Sequence, residues 1–176
     1  MSDTGDNATE VPALEQNRVD LALCRQYIGK LRQNELLTAE LYALFAQKIP
    51  QGRAFWETLI AEEKAHAEVL AGLEKLVQEG QAIFRRPDQF RLPDVMECIK
   101  WTESKIEQFA REGGSMSDAL ETALAVETTM VESKFFEVMD RDHPGMKQEF
   151  EELRQHTLEH VKRIKDEQGR GQRRLF

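Results

Sequence analysis

The segment FWETLIAEEKAHAEVL, residues 55–70, sets Trp56, Leu59, Glu63, His66 and Leu70 at alternating steps of three and four. That period puts all five side chains on one face of an α-helix. Downstream it continues through Leu73 and Val77 to a stop at Gly80, and upstream it begins after Pro50, Gln51 and Gly52, so a helix is predicted from Arg53 to Glu79. The face is apolar except at its centre, where Glu63 and His66 form a Glu-x-x-His pair. Side chains three apart on a helix are neighbours, so the two polar groups lie together on a face that otherwise belongs in a core.

Read outward, the same period recurs before Pro50 in Leu21, Cys24, Ile28, Leu31, Glu35, Thr38, Tyr42, Phe45 and Ile49, predicting a first helix from Val19 to Ile49 with one carboxylate in mid-seam. Glu40 falls off that seam and is expected to be solvated. After a loop, QAIFRRPDQFRL, Pro93 and Asp94 open a shorter helix with Val95, Ile99, Ile106 and Phe109 on one face, closed by Gly113 and Gly114. A fourth helix starts at Ser115 or Ser117 as N-cap and runs to about Met139, with Leu120, Leu124, Glu127, Val131, Phe135 and Val138 aligned. The turn DRDHPG follows, with His143 on the surface. Pro144 then begins a last helix to about Gln168, whose seam is Phe150, Leu153, Thr157, His160 and Ile164. His156 and Glu152 lie one and two turns before His160.

The fold class expected is all-α: two helical hairpins joined by a long crossover that holds a short extra helix, the order of a ferritin-like four-helix bundle. Residues 1–16 read as a disordered acidic tail, 17–168 as the bundle domain, and 169–176 as a basic tail after Gly169. Composition agrees, with 32% charged residues, ten glycines and five prolines in 176 residues. A net charge of -8 opposes phosphate backbones and anionic lipid, so neither nucleic acid nor membrane is an expected partner. Cys24 and Cys98 stand alone, which excludes a disulfide framework, a zinc finger and an iron–sulfur cluster. A cytoplasmic protein is the expectation.

Glu35 lies 15 residues before Pro50 and Glu63 lies 13 after it; Glu127 lies 17 before Pro144, with Thr157 and His160 13 and 16 after it. In antiparallel hairpins these distances bring the polar residues to similar depth. A charge taken out of water needs a counter-charge, a proton or a metal, and carboxylates with imidazoles suit iron, manganese or zinc. Carboxylate-bridged bundles use one Glu on each of two helices and Glu-x-x-His on each of the other two. Glu35, Glu63, His66, Glu127 and His160 supply that set except for one glutamate, whose position is Thr157. His156 or Glu152 stands in by a small helix rotation, or the site holds one metal instead of two. The competing reading is a buried polar network that fixes bundle register and binds nothing.

Over residues 20 to 165 the chain resembles the rubrerythrin group of ferritin-like proteins. The resemblance rests on Glu35 with Tyr42, on AEEKAHAEVL around Glu63 and His66, on Glu127 with Phe135 and Phe136, and on His160. It implies a four-helix bundle, commonly a homodimer, with a non-haem di-iron centre acting on peroxide, O2 or ferrous iron. Glu35, Glu63, His66, Glu127, His160 and His156 are then the expected metal residues. Glu63 and Glu127 are expected to bridge or cap the metals, and Tyr42 to hydrogen-bond a ligand carboxylate. The chain departs from the group at Met130, where a further carboxylate is usual, at Thr157, and in having no Cys-rich rubredoxin segment. An external electron donor, or ferrous iron itself, is therefore expected. The alternative is a non-catalytic iron-binding or storage subunit, or a scaffold whose site has decayed.

Overall fold

A computed structural model describes residues 10–80, 91–132 and 144–173. Among these, every long element is helical: α1 Glu10–Lys48, α2 Arg53–Gln78, α3 Leu92–Glu112, α4 Met116–Glu132 and α5 Pro144–Arg173, with one 3-10 turn at Pro50–Gly52. The predicted positions of Phe135, Phe136, Val138 and Met139, the turn carrying His143, and the loop 81–90 lie outside the described residues.

Local chemistry sets the helix ends. Ser115 is the N-cap of α4: its Oγ donates to Asp118 Oδ2 at 2.7 Å, and Asp118 N–H donates back to Ser115 Oγ at 3.2 Å. Gly113 closes α3 at φ 70°, ψ -159°, a conformation that side chains with a Cβ avoid. Two ends differ from the sequence reading. α1 begins at Glu10, inside the stretch read as tail, and Pro12 in its first turn lacks only an N–H that has no intrahelical acceptor there. α5 runs through Gly169 and Gly171 to Arg173. Glycine weakens a helix by about 1 kcal/mol relative to alanine but does not forbid it, and no proline follows.

The packing order follows from contacts between named residues. α1 and α2 form a tight antiparallel pair through Pro50–Gly52. At that corner a Cβ on Gly52 would sit 2.8 Å from Met116 Sδ and 3.0 Å from Trp56 Nε1, so the start of α4 lies against the end of α1. Farther down, Tyr42 on α1 reaches Glu127 on α4, and the two helices therefore run antiparallel. α3 runs the other way, alongside α1: its end meets α1 through Phe45 and Phe109, 4.7 Å between ring centroids, and its start brings Arg91 and Asp94 near Tyr27. α3 thus returns the chain from the far end of α2 to the near end of α4. α5 packs on α4 and touches α2 through Arg163 and Glu62. The result is a bundle in which α1, α2, α5 and α4 enclose one core and α3 lies against α1.

The seam of α2 is buried at every predicted position from Trp56 to Val77, as is that of α5 from Phe150 to Ile164. On α1 the predicted residues from Cys24 to Ile49 are buried, and Leu21 is half-buried; Glu40 is exposed. Tyr27, Asn34 and Leu41 are also fully buried, a second stripe seven residues apart on a helix with neighbours on two sides. The buried face of α4 is rotated from the predicted one. Ala119, Leu120, Ala123, Val126, Glu127 and Met130 are buried, whereas Leu124 and Val131 are only half-buried. Alanines let the helices approach closely, and a periodicity count weighted towards large side chains passes over them. Ile106 on α3 is likewise half-buried. No helix among the described residues is long and apolar enough to cross a membrane.

Candidate metal centre

Five polar residues meet in the middle of this core. Glu35 is 0% exposed, Glu63, Glu127 and His160 1%, and His66 4%. An aromatic cluster closes the space on the Gly52 side, with Tyr42 5.5 Å and Phe45 5.0 Å from Trp56 between ring centroids. These burials are the direct product of the seam positions, because each glutamate or histidine occupies a step of three or four from an apolar neighbour.

The two carboxylate oxygens of Glu63 face two different histidines. Oε2 lies 3.3 Å from His66 Nδ1, and Oε1 lies 2.8 Å from His160 Nδ1. Each imidazole nitrogen also faces a second glutamate, Glu35 Oε2 at 3.5 Å from His66 Nδ1 and Glu127 Oε1 at 3.2 Å from His160 Nδ1. The site is therefore two sets, Glu35–Glu63–His66 and Glu63–Glu127–His160, with Glu63 common to both. Within each set one ligand atom per residue lies within 4.8 Å of the others, close enough to share one ion.

Hydrogen bonding alone leaves this arrangement incomplete. Neither oxygen of Glu35 has a hydrogen-bond partner among the described residues, and Glu63 Oε1 has none either, since its close approach to His160 is not aligned with the N–H bond. One proton on a δ nitrogen cannot serve two carboxylates at once. A divalent ion in each set would satisfy these oxygens and nitrogens together, so the donor set fits a pair of metals.

Without an ion, protons must balance the charge. Burial pushes the Glu35 carboxyl up to about 8, with the neighbouring charge of Glu63 adding to the effect. Burial alone would lower both histidines, but contact with the carboxylates outweighs it: Glu35 and Glu63 raise His66 to about 9, and Glu127 and Glu63 raise His160 to about 11. Tyr42 donates its hydroxyl proton to Glu127 Oε1 at 2.6 Å. Burial, then the negative charge of Glu127, holds that phenol well above its ordinary value, so Tyr42 is a donor throughout the working pH range.

The outer nitrogens of the two histidines have different neighbours. His160 Nε2 lies 3.1 Å from Glu62 Oε2, and Glu62 is gripped at both oxygens by the Arg163 guanidinium. His66 Nε2 lies 3.2 Å from His156 Nδ1, with the two rings stacked at 5.3 Å. His156 is exposed and sits behind His66, on the side away from Glu35 and Glu63, so it is not placed in either three-residue set. Glu152 is exposed and accepts a hydrogen bond from Gln148, away from the core. Thr157 is buried at the position of the absent sixth ligand, and its hydroxyl donates to Leu153 O at 2.9 Å. The sequence reading missed Glu62, Arg163 and Asn34. Glu62 is the residue before Glu63 and Arg163 is one turn after His160, so both lie beside a seam rather than on it. Asn34 belongs to the second stripe of α1, and its amide has no hydrogen-bond partner among the described residues.

Compared with known protein families, with curated proteins and with solved structures, the chain matches none of them.

Proposed function

We propose that this protein is a ferritin-like bundle of the rubrerythrin kind that binds two non-haem iron ions and acts as an oxidoreductase on peroxide, O2 or ferrous iron. The observation that carries the reading is Glu63, whose two oxygens face the δ nitrogens of His66 and His160. A carboxylate presented in two directions, with a further glutamate beside each histidine, is what a pair of adjacent cations requires. The path of α3 back along α1 supports the ferritin-like arrangement, since it makes the single long crossover.

Glu35, Glu63 and His66 would hold one ion, and Glu63, Glu127 and His160 the other. A bound iron pair supplies two electrons, matching the two electrons and two protons needed to turn one peroxide into two waters. The chain's own residues prepare the place for it. Tyr42 donates to Glu127 Oε1, the same oxygen that faces His160 Nδ1, and so holds that carboxylate in direction. The aromatic wall of Phe45 and Trp56 excludes water and raises the strength of each electrostatic contact within. The electrons would come from an external donor protein or from ferrous iron, and the working form would be a homodimer.

Thr157 favours a second reading, a non-catalytic iron-binding or storage bundle. With its hydroxyl tied to Leu153 O, it offers no second bridge between the two positions. Anaerobic titration with ferrous iron distinguishes these readings. Two irons per chain followed by rapid oxidation on adding peroxide support the enzyme, and one weakly held iron without turnover supports binding alone. Iron uptake unchanged in a Glu63→Ala, His66→Ala double variant would exclude this site altogether.

A further inference from the structure

We propose that His156 is a positioning residue: it accepts a hydrogen bond from the outer nitrogen of His66 and so keeps the inner nitrogen, Nδ1, free to hold an ion with Glu35 and Glu63. The inference rests on the metal-binding reading given above and deepens it, by giving a role to a residue that lies in neither three-residue set. A neutral imidazole carries a single proton, and the partner of one ring nitrogen decides whether the other keeps its lone pair. At His66 the two sides compete. Nδ1 lies 3.3 Å from Glu63 Oε2 and 3.5 Å from Glu35 Oε2, so without an ion the carboxylates draw a proton to the atom that would ligate. On the other side His156 Nδ1 lies 3.2 Å from Nε2 in hydrogen-bonding geometry, and it offers a lone pair when the His156 proton is on Nε2. That acceptor holds a proton on His66 Nε2.

Helix geometry lets His156 do this without joining the site. His156 and His160 are four residues apart on α5, so their imidazoles stand on one side of that helix. The His66 ring of α2 stacks with both, 5.3 Å and 18° from His156 and 5.4 Å and 23° from His160. Stacking fixes the plane of the ring, and the hydrogen bond fixes which edge points inward. Glu35, Glu63 and His66 all come from α1 and α2, and His156 reaches them from α5. As a neutral acceptor it orients His66 without adding a negative charge to a core that already holds three buried glutamates. His160 shows that such a partner does not come with burial alone, because its Nε2 is buried and has no hydrogen-bond partner among the described residues. An exposed imidazole that only covered His66 would be replaceable by any flat ring.

Two variants of the full chain separate flatness from acceptance. His156→Phe keeps a flat ring without an acceptor, and His156→Asn keeps an acceptor, its Oδ1 falling close to the place of the imidazole Nδ1. Nitrogen-edited NMR of the metal-free wild type is expected to show a hydrogen-bonded proton on His66 Nε2. His156→Phe, folded by circular dichroism, should lose that signal and bind one of two Co(II) ions about 10- to 100-fold more weakly in anaerobic titration. His156→Asn should restore the signal and most of the affinity. Equal losses in the Phe and Asn variants would mean that ring shape is what matters, and would overturn the proposal, as would a Phe variant with wild-type signal and binding. A wild-type His66 protonated on Nδ1 alone overturns it whatever the variants do. If the wild type binds no Co(II) while the Nε2–H signal is lost and restored as expected, the metal-binding reading falls and the positioning of the ring stands.

Discussion

At the scale of single residues, Glu63 differs from Glu35 and Glu127 because it belongs to both ligand sets. Replacing Glu63 with alanine is therefore expected to abolish tight binding at both positions, whereas Glu35→Ala and Glu127→Ala each remove one metal; calorimetric stoichiometry reads the difference directly. Equal losses in all three variants would show that Glu63 is not shared. Thr157 offers the converse test. A glutamate there adds another buried carboxylate, costing several kcal/mol in metal-free protein, and supplies the missing bridge when metal is present. Thr157→Glu should thus lower the melting temperature without metal and enlarge the rise on adding it. The five central residues were legible in the sequence because a charged or imidazole side chain on an apolar seam is an anomaly of pattern. Glu62 and Arg163 were not, since they sit about one-third exposed on the flanks and look like ordinary helix-surface charges until α2 and α5 are side by side.

At the scale of elements, the legible parts were those where one face does one job. α2 and α5 have a single buried stripe, and every residue that periodicity placed on it is buried, with Ala67 on α2 the one buried position passed over among the described residues. α1 packs against α2 on one side and α3 on another, so a one-seam reading found only part of its buried face and passed over Tyr27, Asn34, Ala39, Leu41 and Ala46. On α4 the buried face is built partly from Ala119 and Ala123, which carry little hydrophobic signal. The ends of elements give a second kind of prediction. Gly113 has φ 70° and ψ -159°, so Gly113→Ala should destabilise the fold by about 1–3 kcal/mol. Gly72 lies exposed within α2 with open space where a Cβ would go, and Gly72→Ala should stabilise by roughly 0.5–1 kcal/mol. Urea unfolding of the two variants should move the midpoint in opposite directions. A loss at both would mean that Gly72 serves a contact the helix geometry does not account for.

For the molecule as a whole, the buried centre couples stability to pH and to metal. In the metal-free protein Glu35 titrates near 8, chiefly because it is buried; His66 near 9 and His160 near 11, where contacts with the glutamates overcome the opposing effect of burial. Unfolded reference values are about 4.3 for Glu and 6.5 for His, so all three groups hold protons more tightly in the folded state. For the histidines the resulting stability is complete below about pH 6.5 and is lost as pH rises through 9 and then 11. Glu35 acts in the same direction, since keeping it protonated costs nothing below about pH 4.3 and forcing its ionisation destabilises the core up to about pH 8. The metal-free melting temperature is therefore expected to fall steadily from pH 6 to pH 10. A divalent ion replaces the protons on the imidazoles and carboxylates, so metal affinity rises over the same range. Saturating metal at about a thousandfold above its dissociation constant adds roughly 4 kcal/mol at any one pH. At fixed metal concentration the stabilising increment should grow with pH, and the loaded protein should show a much flatter melting profile than the metal-free one. A metal-free melting temperature that stays level between pH 6 and 9 would mean that His66 and His160 are already neutral in the fold, and the three glutamates would then need some other counter-charge to remain buried together.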